Sequence, residues 1–105
     1  MKICVTASGK TMEASVDPRF GRCAYFLIYD TETKNLEAFD NPGNVQSSGA
    51  GVKAAEFIAS KEFDVLITGN LGPNAVDIMS NLNFKSHFGV EGTVGSVIND
   101  YLKNE

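Results

Sequence analysis

The sequence predicts an α/β fold with a mixed five-stranded sheet covered by helices, in the order β-β-β-α-β-α-β-α. Three observations lead there. Three strand-like runs stand close together within residues 2–40, with no room for a crossover helix, so they pair as an antiparallel meander. Beyond residue 50, helical stripes alternate with short strand-like runs, and such β-α units require parallel pairing. Asp64–Thr68 is apolar with little alternation, as expected of a strand buried on both faces. A three-layer α/β/α domain of ribonuclease H-like architecture satisfies all three.

The elements follow in order. Lys2–Ala7 sets Ile3, Val5 and Ala7 against Cys4 and Thr6, the period of a strand. Residues 8–16 are polar and broken by Gly9, hence a loop. Tyr25–Asp30 is aromatic and β-branched, the second strand. Residues 30–35 form a turn, and Leu36–Asp40 is a shorter third strand. Residues 41–51 are rich in turn formers, after which Val52, Ala55, Ile58 and Ala59 share a helical face. Asp64–Thr68 is the fourth strand. Pro73 opens the second helix, whose stripe is Ala75, Val76, Met79 and Leu82. Phe84–Phe88 is the fifth strand. Thr93 caps the third helix, and Val94, Val97, Ile98, Tyr101 and Leu102 give the clearest amphipathic pattern.

With 105 residues, the chain makes one domain, 1–105, and no linker or repeat divides it. A net charge of −4 argues against nucleic acid or an anionic membrane as partner. No apolar run approaches the roughly 20 residues needed to cross a bilayer, and the N-terminus is too short in apolar residues for a signal segment. Two cysteines do not make a disulfide framework, so a cytoplasmic, reducing setting is expected.

Several stretches bear on function. Ser8-Gly9-Lys10-Thr11 looks like the end of a phosphate-binding loop, but the required earlier glycine is Cys4 and no helix follows. Gly49-Ala50-Gly51 resembles a dinucleotide fingerprint that lacks its preceding core strand; it reads as close packing at a helix start, with an anion at the free N–H groups as the alternative. The 69–74 segment, Gly-Asn-Leu-Gly-Pro-Asn, sits at the carboxyl end of a buried strand, where open α/β sheets bind ligands, so Asn70 and Asn74 are candidate contacts. A tight strand-to-helix turn explains its glycines and proline equally well.

Cys4, Cys23 and His87 are the metal-capable side chains apart from scattered carboxylates, and none has zinc-site spacing. Antiparallel pairing of the first two strands puts the two cysteines roughly 10 Å apart, too far for a disulfide. Cys4, mid-strand, reads as an inert core residue. Cys23 follows Arg19 and Arg22, whose positive field favours a thiolate, though a small buried hydrophobe is the competing reading. His87 stands two residues before a glycine-bounded loop and stays in view. No nucleophile–base pair or acid pair emerges, so no enzyme is expected.

Asp17-Pro-Arg-Phe-Gly-Arg-Cys23, running into Ala24–Tyr29, resembles the Asp-x-His-Phe-Gly-x-Cys segment of dinitrogenase iron–molybdenum cofactor accessory proteins. Gly49–Gly51, Asp64–Gly69, Gly72–Ala75 and Gly89–Val94 follow that family's pattern in the same order. The resemblance implies a ribonuclease H-like fold without nuclease activity. It implies a carrier that transiently holds an iron–molybdenum–sulfur or iron–sulfur cluster and passes it between cluster-assembly and cluster-accepting proteins. Cys23 matches the family's cysteine and is the implied metal ligand. Arg19 replaces the family's histidine; it is a poor ligand but a good partner for an anionic cluster, as is Arg22. The competing expectation is a metal-free protein-interaction module that responds to an anion or metabolite at the 49–51 or 69–74 helix starts.

Overall fold

A computed structural model describes residues 1–104. Strand β1 (Lys2–Ala7) is the centre of a five-stranded sheet. Strand β2 (Tyr25–Asp30) pairs antiparallel on one side of it, with Cys4 opposite Ile28. Strand β3 (Leu36–Asp40) extends the meander antiparallel to β2. On the other side, β4 (Val65–Ile67) and then β5 (Lys85–His87) run parallel to β1. The order β3-β2-β1-β4-β5 is the mixed, ribonuclease H-like sheet that the sequence predicts.

Strand alternation divides the core in two. Cys4, Phe26, Ile28 and Leu66 face one side, packing with Ala54, Ala55 and Ile58 of α1 (Ala50–Ala59) and Ala75 and Met79 of α2 (Pro73–Met79). Ile3, Val5, Leu27, Val65 and Ile67 face the other, under Val94, Val97 and Ile98 of α3 (Val94–Lys103). The result is three layers. Each fully buried Leu, Ile or Phe contributes roughly 1.5–3 kcal/mol, so both faces must be covered for so small a domain to fold.

The edges of the pattern differ from the sequence reading. Val65–Ile67 and Lys85–His87 are shorter than expected, although Asp64 and Thr68 continue the ladder through bonds to Lys2 and His87. Phe84 leaves the strand to pack on Phe63, centroids 5.3 Å apart, and Phe88 turns outward. On α1 the buried stripe is Ala50, Ala54, Ala55 and Ile58, rotated from the expected one. Val76 faces solvent, and α2 stops at Met79, so Leu82 packs from beyond its end. The turn-rich segment contains a 3₁₀ turn at Pro42–Val45, capped by the Asn41 side chain.

Candidate functional site

The parallel strands β1, β4 and β5 end together, and so does β3. Their following loops, 8–24, 41–49, 68–72 and 88–93, therefore meet at one end of the sheet. There β1 and β4 lie side by side while their chains leave in different directions, the place where open α/β sheets receive ligands.

Buried hydroxyls seat the first loop. Thr6 donates to the Asp17 carbonyl at 2.7 Å, and its oxygen lies 2.8 Å from the Thr68 hydroxyl. The Asp17 N–H returns a bond to the Thr6 carbonyl at 2.9 Å. Two close backbone approaches fix it further. Pro18 lies directly against Gly69, where any Cβ would collide with it, and a Cβ on Gly21 would sit 2.8 Å from the Gly51 nitrogen. The same loop covers the start of α3, because Ala14 and Met12 carbonyls accept from the Val94 and Gly95 N–H groups, each at 2.8 Å.

Asp17 is buried, and its carboxylate accepts from the Arg19 backbone N–H at 2.9 Å, from Nε at 3.2 Å and from Nη2 at 3.3 Å. This fork sets the guanidinium in one orientation while the side chain stays 68% exposed. Asp17 also pushes the Arg19 pKa upward, first through the hydrogen bond and then through charge. Arg19 is joined to Asn70 by a parallel backbone bridge, so the expected contacts of the first loop and of the β4–α2 turn do lie together. Asn70 and Asn74 are both exposed, the latter in the first turn of α2. Arg22 is half-buried and donates to the Gln46 carbonyl, tying its loop to the segment before α1.

Of the two states expected for Cys23, the structure shows the small buried residue and not the thiolate. Its side chain is fully buried in the α1/α2 core, with Sγ 3.4 Å from the Phe20 carbonyl and 3.5 Å from Asn41 Nδ2. Burial, and then the charge of Asp17, push the thiol up to about 12, outweighing the opposing bond from Asn41. The expectation that two arginines would favour a thiolate is thus corrected. Arg19 spends its charge on Asp17 and Arg22 turns to Gln46, while the carboxylate of Asp17 repels a thiolate. Cys4 is also a buried free thiol with a raised pKa, as its mid-strand position predicts.

Sequence reasoning missed Asn41. Its Nδ2 donates to the Phe20, Gly21 and Cys23 carbonyls at 3.4, 3.2 and 2.9 Å, and its Oδ1 accepts from Gly43 at 2.9 Å. One buried amide thereby holds the turn that carries Arg19 and Arg22. The signal was Asn-Pro-Gly, a cap residue followed by proline at the first position. His87 is exposed and lies on the α3 side, its ring 4.8 Å from that of Tyr101, apart from Arg19. Gly49 adopts a left-handed conformation (φ 71°) before α1, which has no side-chain cap.

Chemically, the site offers an oriented guanidinium and neutral amides. Among the described residues, no group of three His, Cys, Asp or Glu side chains gathers as a metal centre. Such a surface suits a preassembled anion better than a bare metal ion.

Comparison with known proteins gives consistent relatives. The family model described as dinitrogenase iron–molybdenum cofactor matches residues 1–104. An uncharacterized protein of Methanocaldococcus jannaschii is 33% identical over 70 residues, which cover 64% of this chain and 59% of that protein. The matched stretch thus spans less than two thirds of that relative's length. The apo form of the orange protein from Desulfovibrio gigas superposes with a TM-score of 0.90 at 37% identity, covering 98% of this chain and 88% of the other. A Thermotoga protein of the DUF35 family, named as a candidate NifB protein, gives 0.81 at 31% identity over 97% and 87% of the two chains.

Proposed function

Because the chain belongs to the dinitrogenase iron–molybdenum cofactor family, we propose that it is a non-catalytic carrier for an anionic metal–sulfur cluster. The cargo, an iron–molybdenum–sulfur or iron–sulfur cluster, rests transiently on the loops at the carboxyl end of the sheet. The observation that carries this reading is Arg19, locked by buried Asp17 yet exposed beside Asn70. A guanidinium oriented before the cargo arrives loses little further freedom on binding, so its hydrogen bonds are not offset by ordering cost.

In this reading Arg19, Asn70 and Asn74 contact the cargo, and Arg22 adds positive charge from the neighbouring turn. Holding the cluster by hydrogen bonds and charge leaves its metal coordination intact for handover to an assembly or acceptor protein. Direct ligation by Cys23 requires the 20–23 turn to open and break the Asn41 bonds. Two free buried thiols suit a cytoplasmic, reducing compartment.

The test is anaerobic titration with a preformed iron–sulfur or iron–molybdenum–sulfur cluster, followed by charge-transfer absorbance. Arg19→Gln is expected to weaken binding roughly 10-fold or more, the scale of one charge-assisted hydrogen bond. Cys23→Ala is expected to leave it unchanged. Equal binding by Arg19→Gln and wild type would refute the assignment, and loss in Cys23→Ala alone would move the role to the thiol.

A further inference from the structure

A second cavity lies on the opposite layer, between β5 and α3, and the cluster reading makes no use of it. It measures about 440 Å³, within the roughly 300–1,000 Å³ of small-molecule sites. It exists because β5 is a three-residue edge strand whose side chains all stay exposed, and α3 packs over β1 instead. By strand alternation Lys85 and His87 share the face of Ile67, so they overhang the margin of the α3 layer.

We infer that this cavity binds a planar heteroaromatic molecule carrying an anionic group. Ile67 and Val97 form an apolar floor. His87 and Tyr101 stand at 87° with centroids 4.8 Å apart, an aromatic corner. A third ring placed there stacks on one and meets the edge of the other, both favoured geometries. The charged lining is of two signs, Lys85 from β5 against two carboxylates, Glu91 from the loop before α3 and Asp100 from α3. Lys85 pairs with a phosphate or carboxylate on the ligand, while the Asp100 and Glu91 carboxylates accept from ring N–H and sugar hydroxyl donors. A nucleotide whose base presents N–H groups on one edge meets all of these demands together. Neither the floor nor the corner includes Arg19 or Asn70, so this site stands or fails independently of the cluster reading.

The test uses the full chain and guanosine 5′-monophosphate as probe, followed by amide chemical shifts. Guanosine and ribose 5-phosphate serve as the ring-only and phosphate-only arms. Saturable shifts confined to β5 and α3 are expected, with each half-ligand binding at least about 10-fold more weakly. Lys85→Gln, at an exposed position that leaves the fold intact, is expected to weaken the nucleotide by about 10-fold and guanosine hardly at all. Tyr101→Ala is expected to weaken both. Absence of saturation would overturn the proposal. So would ribose 5-phosphate matching the nucleotide, or shifts centred on Arg19 or on the 49–51 turn.

Discussion

The buried state of Cys23 makes a quantitative prediction about thiol reactivity. Only the thiolate attacks an alkylating or disulfide reagent. With a pKa of about 12, roughly one molecule in 10⁴ carries a Cys23 thiolate at pH 8, by the ordinary titration relation. An unperturbed cysteine near 8.5 would be about one quarter ionised. The native protein should therefore label about three orders of magnitude more slowly than a model thiol, before steric shielding slows it further. Between pH 8 and 11 the rate should climb about 10-fold per unit. In denaturant both Cys4 and Cys23 should react at ordinary rates, giving two thiols per chain. The same shift links to stability. A thiol whose folded pKa is raised contributes fully below its unfolded pKa, and that contribution declines as pH rises from about 8.5 through 12. The assay is absorbance-monitored labelling with an aromatic disulfide. One thiol reacting at the ordinary rate in the native protein at pH 8, and lost in Cys23→Ala, would refute the reasoning. It would mean that the 20–23 turn opens spontaneously and offers a thiolate ligand.

Two further substitutions probe what holds the candidate site in place. Asn41→Ala removes the donor to three loop carbonyls and the acceptor for Gly43, so a loss of about 2–4 kcal/mol is expected in urea unfolding, with faster Cys23 labelling. A loss below about 0.5 kcal/mol would show that water replaces the amide. Gly69→Ala forces a methyl group into Pro18, and overpacking of this kind costs about 1–3 kcal/mol, with amide shifts expected at both Arg19 and Asn70. Unchanged stability and shifts would mean that the loops are not in contact in solution.

The relation of sequence to fold follows the length of each pattern. Lys2–Ala7, Tyr25–Asp30 and Leu36–Asp40 are legible with their boundaries because alternation and close spacing leave one pairing scheme. Thr93 as a cap is legible too, because its hydroxyl accepts from Ser96 three residues on, a purely local bond. The three-residue strands are less so. A short polar run bounded by phenylalanines, as in Phe84–Phe88, does not reveal which aromatic turns inward, and only the position of Phe63 decides that Phe84 does.

For the candidate site, the sequence by itself determined the loop, its charge and its family pattern: Asp17-Pro-Arg-Phe-Gly-Arg-Cys23 feeding a core strand. Tertiary structure alone decided what those residues do there. Arg19 and Asn70 are far apart in the chain and meet only because β1 and β4 are neighbours in the sheet. The choice between the two readings of Cys23, thiolate or small buried residue, was equally out of reach. Two preceding arginines suggest a stabilised thiolate, but side-chain direction sends one guanidinium to Asp17 and the other to Gln46, and packing seals the sulfur beneath Phe20 and Asn41. Charge near in sequence is not field at the atom. That field depends on burial and on which opposite charge stands closer, and both arise only when the layers pack.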